Sequence, residues 1–294
     1  MISAERRCSN IFADCHVHML LDGLMWRDAI DRHENGVRES LVRAELENYS
    51  SLGFTYLRDG GDRWGVGELA ARIAPEYGIE YRTPCFPIYK KGHYGSFIGR
   101  GYETEGDFRA LVAEVKDRGG HFIKIMISGI MDFDHYGVLT DTPMPADEVM
   151  RLAEIAHEAG LSVMAHANGD DAVRAAVRAG IDSVEHGAYL TKPVLDELAE
   201  SDTVWVPTLI TIGALIGDGR YAQDCVKPLL QYQQNVIRYA AECGALIAPG
   251  SDAGAYNVLH GSGGLREIAI LTETLGKNAE NVLSRGLEKI REKF

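Results

Sequence analysis

The sequence has little positive charge, no long apolar run and no paired-cysteine motif. Its 294 residues include 30 Lys and Arg against 43 Asp and Glu, which leaves a net charge of −13. A polyanionic partner such as a nucleic acid is therefore not expected. The apolar runs are strand-sized and fall well short of the roughly 20 residues that cross a bilayer. We expect neither nucleic-acid binding nor a membrane segment.

Cysteine motifs, a leader and nucleotide-binding loops are also missing. The five cysteines include no CxxC pair and no framework of a small disulfide-rich domain. The opening residues, MISAERRCSN, lack the apolar centre of a secretory signal. These two absences predict a cytoplasmic protein. No GxGxxG or Walker A pattern occurs, which counts against the alternative fold, a doubly wound nucleotide-binding sheet.

Short apolar runs alternate with segments of helical periodicity, a pattern typical of βα units around a parallel sheet. Five helical segments end in glycine, as helix C-termini commonly do. Eight strands are predicted, at residues 11–19, 54–60, 79–88, 122–128, 161–167, 182–188, 203–210 and 246–254. We predict an α/β fold in which these strands close into a (β/α)8 TIM barrel. No linker interrupts the series, so residues 1–294 are expected to form one domain, with an extra C-terminal helix at about 277–293.

His16 and His18 lie two apart in the first predicted strand, so both side chains leave the same face and can reach one metal ion. By chance alone, about one chain in three with this histidine content would contain such a pair. Two packed strand histidines are an equally good interpretation of the pair alone.

Four further residues favour a metal centre, because they lie in the C-terminal halves of predicted strands, where a barrel has its active site. Each has a simpler interpretation: a lysine that reaches solvent or a carboxylate, a packed or turn histidine, or an Asp that caps a helix. Together with the histidine pair they place six ligand-type residues on five strands. These four are Lys124, His166, His186 and Asp252.

Lys124 stands in the apolar run FIKIMI. Burial favours the neutral amine, and a neutral amine can react with carbon dioxide to form a carbamate, which carries a carboxylate-like group.

The motifs DCHVHM, FIKIM, AHANG, SVEHG and PGSDAG together resemble the amidohydrolase superfamily over almost the whole chain. The stretch HANGDDAVRAAVRAGIDSVEHGAYL is similar to its imidazolonepropionase-related and Xaa-Pro dipeptidase (prolidase)-like branch. The resemblance implies two divalent ions, one on His16, His18 and Asp252 and one on His166 and His186, bridged by carbamylated Lys124. Zinc suits these ligands, and manganese, iron, cobalt and nickel are alternatives.

By this resemblance the protein is a metal-dependent amidohydrolase. A hydroxide held between the ions would attack a small amide, such as an Xaa-Pro or other dipeptide or an N-acyl amino acid, and Asp252 would move the proton to the leaving nitrogen. The alternatives are a cyclic amide or lactone hydrolase, a metal-dependent isomerase or decarboxylase, and a catalytically inactive metal-binding barrel.

Three loop residues are candidates for substrate binding. His93 and His260 follow the third and eighth strands, and each is either a substrate-binding residue or a surface histidine without a role. Tyr189, three residues after His186, either donates to an oxyanion or packs against a helix, and the sequence favours neither. Arg58 is expected to pair with Asp59 or with another carboxylate at the barrel mouth.

Family members commonly carry a small β-sandwich built from both chain ends. Because only thirteen residues precede Asp14, we expect the sandwich to be absent or vestigial. The apolar surface left uncovered would favour a homo-oligomer.

Overall fold

The computed structural model describes residues 12–294. The strands are β1 (Ala13–Val17), β2 (Tyr56–Asp59), β3 (Glu80–Arg82), β4 (Pro87–Lys90), β5 (Arg100–Tyr102), β6 (Phe122–Met126), β7 (Ser162–Ala167), β8 (Ser183–His186), β9 (Val204–Val206) and β10 (Leu246–Ile247). The α-helices are α1 (Trp26–Asp31), α2 (Glu39–Ser51), α3 (Val66–Ile73), α4 (Glu105–Asp117), α5 (Ala146–Glu158), α6 (Asp170–Arg178), α7 (Lys192–Ala199), α8 (Ile210–Gly213), α9 (Gln223–Glu242), α10 (Ser262–Leu275) and α11 (Ala279–Lys293).

The strands form two parallel sheets that follow one another around the barrel. Three run in the order β1-β2-β3, and seven run in the order β10-β9-β8-β7-β6-β4-β5. The third barrel position is shared by β3, which pairs with β2, and β4, which pairs with β6. The two sheets meet where Cys15 N donates to Pro249 O and Val17 bridges Ala253. The predicted (β/α)8 TIM barrel is confirmed.

Sequence features explain why these segments form the barrel. All five residues of β6 are buried, as expected for a parallel strand covered on both faces. Helix α4 begins at a capping box in which Thr104 and Asp107 exchange hydrogen bonds. Helix α11 packs closely on β10, because a Cβ at Gly286 would overlap the Ile247 carbonyl.

Most elements lie where the sequence predicts them. The eight strand positions and the C-terminal helix are confirmed, and β5, which extends the sheet beside β4, was not predicted. Pairings between the named strands in residues 12–294 are all parallel. The expectation about a β-sandwich also concerns residues 1–11, which lie outside the described residues, and it stays a prediction. No helix within residues 12–294 is long and apolar enough to span a membrane.

Candidate metal centre

Three ligand-type side chains converge at the carboxyl end of the barrel strands. The ligand atoms of His16, His18 and Asp252 all lie within 4.8 Å of one another. The two Nε2 atoms are 3.4 Å apart, and Asp252 Oδ1 is 3.5 Å from His16 Nε2 and 3.3 Å from His18 Nε2. Two ligands at the zinc–nitrogen distance in a tetrahedral site are separated by about 3.3 Å. The spacing therefore fits a single divalent ion.

Local backbone geometry brings Asp252 to this site. Its φ is +58°, in the left-handed region that non-glycine residues rarely adopt. The conformation is held because Asp252 N donates to His16 O at 2.7 Å and Ala253 bridges Val17. These backbone contacts tie the carboxylate to the strand that carries both histidines.

His166 and His186 form a second pair beside the first group. Their ring centroids are 4.5 Å apart, and the His186 ring lies 5.1 Å from that of His16. His166 Nε2–H donates to Gly129 O at 3.1 Å, and His186 Nδ1 is hydrogen-bonded to Thr208 Oγ1 at 2.8 Å. Each ring therefore keeps its other nitrogen for a ligand.

Burial keeps these imidazoles neutral. It lowers the pKa of His18 and of His166 to about 3, with the charge of Lys124 as the second cause. Burial also lowers the pKa values of His16 and His186 well below their usual range. A neutral imidazole has the lone pair that metal binding requires.

Lys124 lies on β6 and is buried. Its Nζ has no hydrogen-bond partner among the described residues. Burial lowers the pKa of this amine to about 8, and Glu185 opposes the shift. A buried amine without a partner needs an explanation, because nearly all such groups are hydrogen-bonded. A carbamate on the amine, or a divalent ion bound by the neutral amine, would supply one.

A buried ion pair lies behind His16. Glu185 Oε2 is 2.7 Å from His16 Nδ1, and Glu185 Oε1 accepts from Arg58 Nη2 at 2.9 Å and from Ser183 Oγ at 2.6 Å. Because the carboxylate is the acceptor, His16 carries its proton on Nδ1 and exposes the Nε2 lone pair. Arg58 is thus paired inside the barrel with Glu185, which corrects the expectation of a partner at Asp59 or elsewhere at the mouth. Arg58 lies on β2 and Glu185 on β8, and the distance between these two strands across the barrel, which sequence does not give, decides the pairing.

The three candidate substrate residues have different surroundings. His93 is half-exposed, and its Nδ1 lies 3.1 Å from Asp141 Oδ2. Tyr189 packs edge-on against Tyr136, with ring centroids 5.5 Å apart. His260 is buried, with Nε2 2.8 Å from Leu21 O and Nδ1 3.2 Å from Tyr49 Oη, so neither ring nitrogen is free. Their roles toward a substrate remain predictions.

Sequence reasoning missed two residues of the site, Glu185 and Tyr94. Residues 183 and 185 share one face of β8, and strand alternation assigns a ligand at position 186 to the opposite face, so no sequence pattern pointed to Glu185. Tyr94 stacks on His166 with ring centroids 4.9 Å apart. It lies beside His93, and no sequence pattern marks it.

A parallel α/β barrel with histidines and a carboxylate gathered at the carboxyl ends of its strands defines a barrel enzyme. The amidohydrolase family pattern matches residues 53–282. The chain belongs to the amidohydrolase family, whose members are hydrolases that generally bind metal.

Individual proteins resemble the chain over part or most of its length. An uncharacterised protein of Mycobacterium tuberculosis is 32% identical over 166 residues, 54% of this chain and 44% of that protein, so the match spans less than half of this relative. A Xaa-Pro dipeptidase with methionine bound in its active site has a TM-score of 0.74 at 21% identity, covering 96% of this chain and 75% of the other. An A. niger ochratoxinase has a TM-score of 0.75 at 19% identity, covering 94% and 70%. At these identities the two structures establish a shared fold.

Proposed function

We propose that the protein is a metal-dependent hydrolase of small amides, such as an Xaa-Pro or other dipeptide or an N-acyl amino acid. The observation that carries the proposal is the convergence of His16, His18 and Asp252 at spacings that suit one divalent ion. The fold shared with a Xaa-Pro dipeptidase supports the substrate class.

We infer that the site would hold two ions. His16, His18 and Asp252 would hold one, His166 and His186 would supply ligands for the other, and a carbamate on Lys124 would add an anionic ligand. The carbamate forms when the neutral amine bonds to carbon dioxide and releases a proton, which turns a buried cation into an anion. Divalent ions at this position would lower the pKa of a water molecule and polarise an amide carbonyl.

The chain's own groups would then handle the substrate and the proton. The second carboxylate oxygen of Asp252 would accept the proton of the attacking water and deliver it to the leaving nitrogen. Tyr189 would donate to the developing oxyanion, and His93 would orient the substrate. Burial lowers the pKa values of the four histidines, which keeps them neutral and leaves their lone pairs available for metal binding.

The test combines elemental analysis with a substrate screen. Protein produced with ample zinc or manganese should contain close to two metal equivalents per chain, and chelation should abolish hydrolysis of a dipeptide and N-acyl amino acid library. Metal-free protein after such production would contradict the proposal. Bound metal with no turnover on amides, esters or lactones would identify an inactive metal-binding barrel instead. Turnover without incorporation of oxygen from labelled water would identify an isomerase or decarboxylase.

A further inference from the structure

A row of aromatic rings leads from the candidate metal centre to the protein surface. Tyr94 packs on His166 with centroids 4.9 Å apart, Phe97 lies 5.8 Å from Tyr94, and Trp26 lies 5.7 Å from Phe97. Tyr94 and Phe97 are half-buried and Trp26 is exposed. We call Tyr94, Phe97 and Trp26 the aromatic wall.

The outer end of the wall is an apolar rim. Leu24, Met25 and Trp26 are consecutive in the chain and are 57%, 54% and 42% exposed. Leu259, after the last barrel strand, is also exposed and approaches this loop at Gly23. Single exposed apolar residues are ordinary, whereas a contiguous set beside a site marks a surface that binds something.

The rim is held in place before any ligand arrives. Asp22 Oδ1 accepts from the backbone N–H groups of Leu24 at 2.9 Å and Met25 at 3.1 Å. Gly23 exchanges backbone hydrogen bonds with the loop after β10, through Gly254 O and Asn257 N. Because these contacts fix the backbone, exposure of the apolar side chains is a property of the folded loop and not of a frayed segment.

We propose that the aromatic wall is the subsite for an aromatic or branched aliphatic group carried by the amide substrate. This inference rests on the proposed amide hydrolysis, and it names the apolar class of substrate within it. The occupant is assigned by continuity, because the wall begins at a ring of the candidate metal centre and ends at solvent. A substrate whose amide reaches the histidines would lay its substituent along these rings. Stacked and edge-on contacts with them favour an apolar, preferably planar, group.

The test measures binding without turnover. Chelator-treated protein is titrated calorimetrically with N-acetyl-L-phenylalanine and with N-acetylglycine, which differ only in the benzyl group. Burial of that group against the wall should make the phenylalanine compound bind about tenfold more tightly. The ratio of the two dissociation constants is the quantity that the proposal predicts.

Variants at the exposed end of the wall give the matched comparison. Trp26→Ala should reduce the ratio by about threefold or more, because contact between two aromatic rings adds about this much affinity to that from buried surface area. Trp26→Phe keeps an aromatic ring and should retain most of the ratio. Met150→Ala, at a methionine 44% exposed on α5, removes a similar apolar surface elsewhere and should leave the ratio unchanged. Trp26 is a surface residue, so its replacement should leave the fold intact, as circular dichroism would verify.

Three results would overturn the subsite: equal affinities in the wild type, a full ratio retained by Trp26→Ala, or no measurable binding of the phenylalanine compound. Failure of the proposed subsite can be distinguished from failure of the proposed amide hydrolysis. Metal-loaded protein that hydrolyses both compounds with equal kcat/KM would sustain the function and refute the subsite. A binding ratio that depends on Trp26, without hydrolysis of any amide, would sustain the subsite and refute the function.

Discussion

Glu185 Oε2 lies 2.7 Å from Nδ1 of His16, and the other oxygen of the same carboxylate accepts from Arg58 at 2.9 Å. All three side chains are fully buried. The Arg58 guanidinium is covered on its far side by the ring of Phe294, 4.4 Å away. A carboxylate in this position fixes the tautomer and the orientation of a metal-binding histidine.

Glu185→Gln should weaken metal binding about 10- to 100-fold, because the amide either presents N–H groups to His16 or accepts more weakly than a carboxylate. Competition with a coloured chelator would measure the affinity. The visible spectrum of the cobalt-substituted protein would report altered ligand geometry, which a general loss of stability does not produce.

The control is Glu197→Gln. Glu197 accepts from Arg174 and Arg178 at the protein surface and lies on α7. Glu197→Gln should leave metal affinity unchanged.

Glu185→Gln should also lower the free energy of unfolding of the metal-free protein by about 3–5 kcal/mol, because Arg58 loses its buried partner. Unaltered metal affinity in Glu185→Gln would show that His16 does not depend on this hydrogen bond.

The barrel and the candidate ligands could be predicted from sequence for a simple reason. Parallel strands end at the same edge of a barrel, so ligand-type residues in their C-terminal halves are expected together even when they are far apart in the chain. His16 on β1 and Asp252 after β10 illustrate this, as do His166 and His186 at the ends of two neighbouring strands.

Other features depend on geometry that sequence does not contain. Strand alternation would turn His186 away from the face occupied by Glu185, but its φ of +69° redirects the side chain. His260 lies in a loop that could face the mouth, and the buried position against Tyr49 follows from how the loop packs on α2. The aromatic wall joins loops after different strands, and its ring contacts follow from tertiary packing.

Glu267 gives a pH-dependent prediction away from the candidate ligands. Its buried carboxyl accepts from the backbone N–H groups of Leu209 and Ile210, and burial raises its pKa from 4.5 to about 8. Between these values the folded protein holds a proton that the unfolded chain has released. Stability due to this group is therefore present below about pH 4.5 and is lost as the pH rises through 8.

The measurement compares the wild type with Glu267→Gln, which cannot titrate. The difference in free energy of unfolding between the two proteins should fall with rising pH in this window, by at most about 1.4 kcal/mol per pH unit. Urea denaturation at several pH values gives the difference, from which the contribution of Asp59, whose pKa burial also raises, largely cancels. A difference that is constant from pH 5 to 8 would contradict the prediction.

His260 can be tested as a structural residue against its predicted role in substrate binding. Both of its ring nitrogens have partners inside the protein. His260→Phe should therefore cost about 1–3 kcal/mol of stability, because the Leu21 carbonyl and the Tyr49 hydroxyl lose a buried partner. KM for a small amide should stay unchanged. Tyr49→Phe should destabilise in the same direction, whereas a raised KM with normal stability in His260→Phe would indicate contact with substrate.

Replacing Lys124 distinguishes a carbamate that binds the ions from an unmodified buried amine. Lys124→Ala should lower activity by orders of magnitude, because the two groups of candidate ligands would lose the carbamate proposed to bind the ions with them. Formate or acetate should occupy the vacated space and restore part of the metal affinity and rate. Lys124→Arg should resist this rescue, since its fixed positive charge would remain where an anion is needed. Full activity and two metals in Lys124→Ala, or an unmodified amine in a high-resolution map of active enzyme, would rule out the carbamate and favour a single ion on His16, His18 and Asp252.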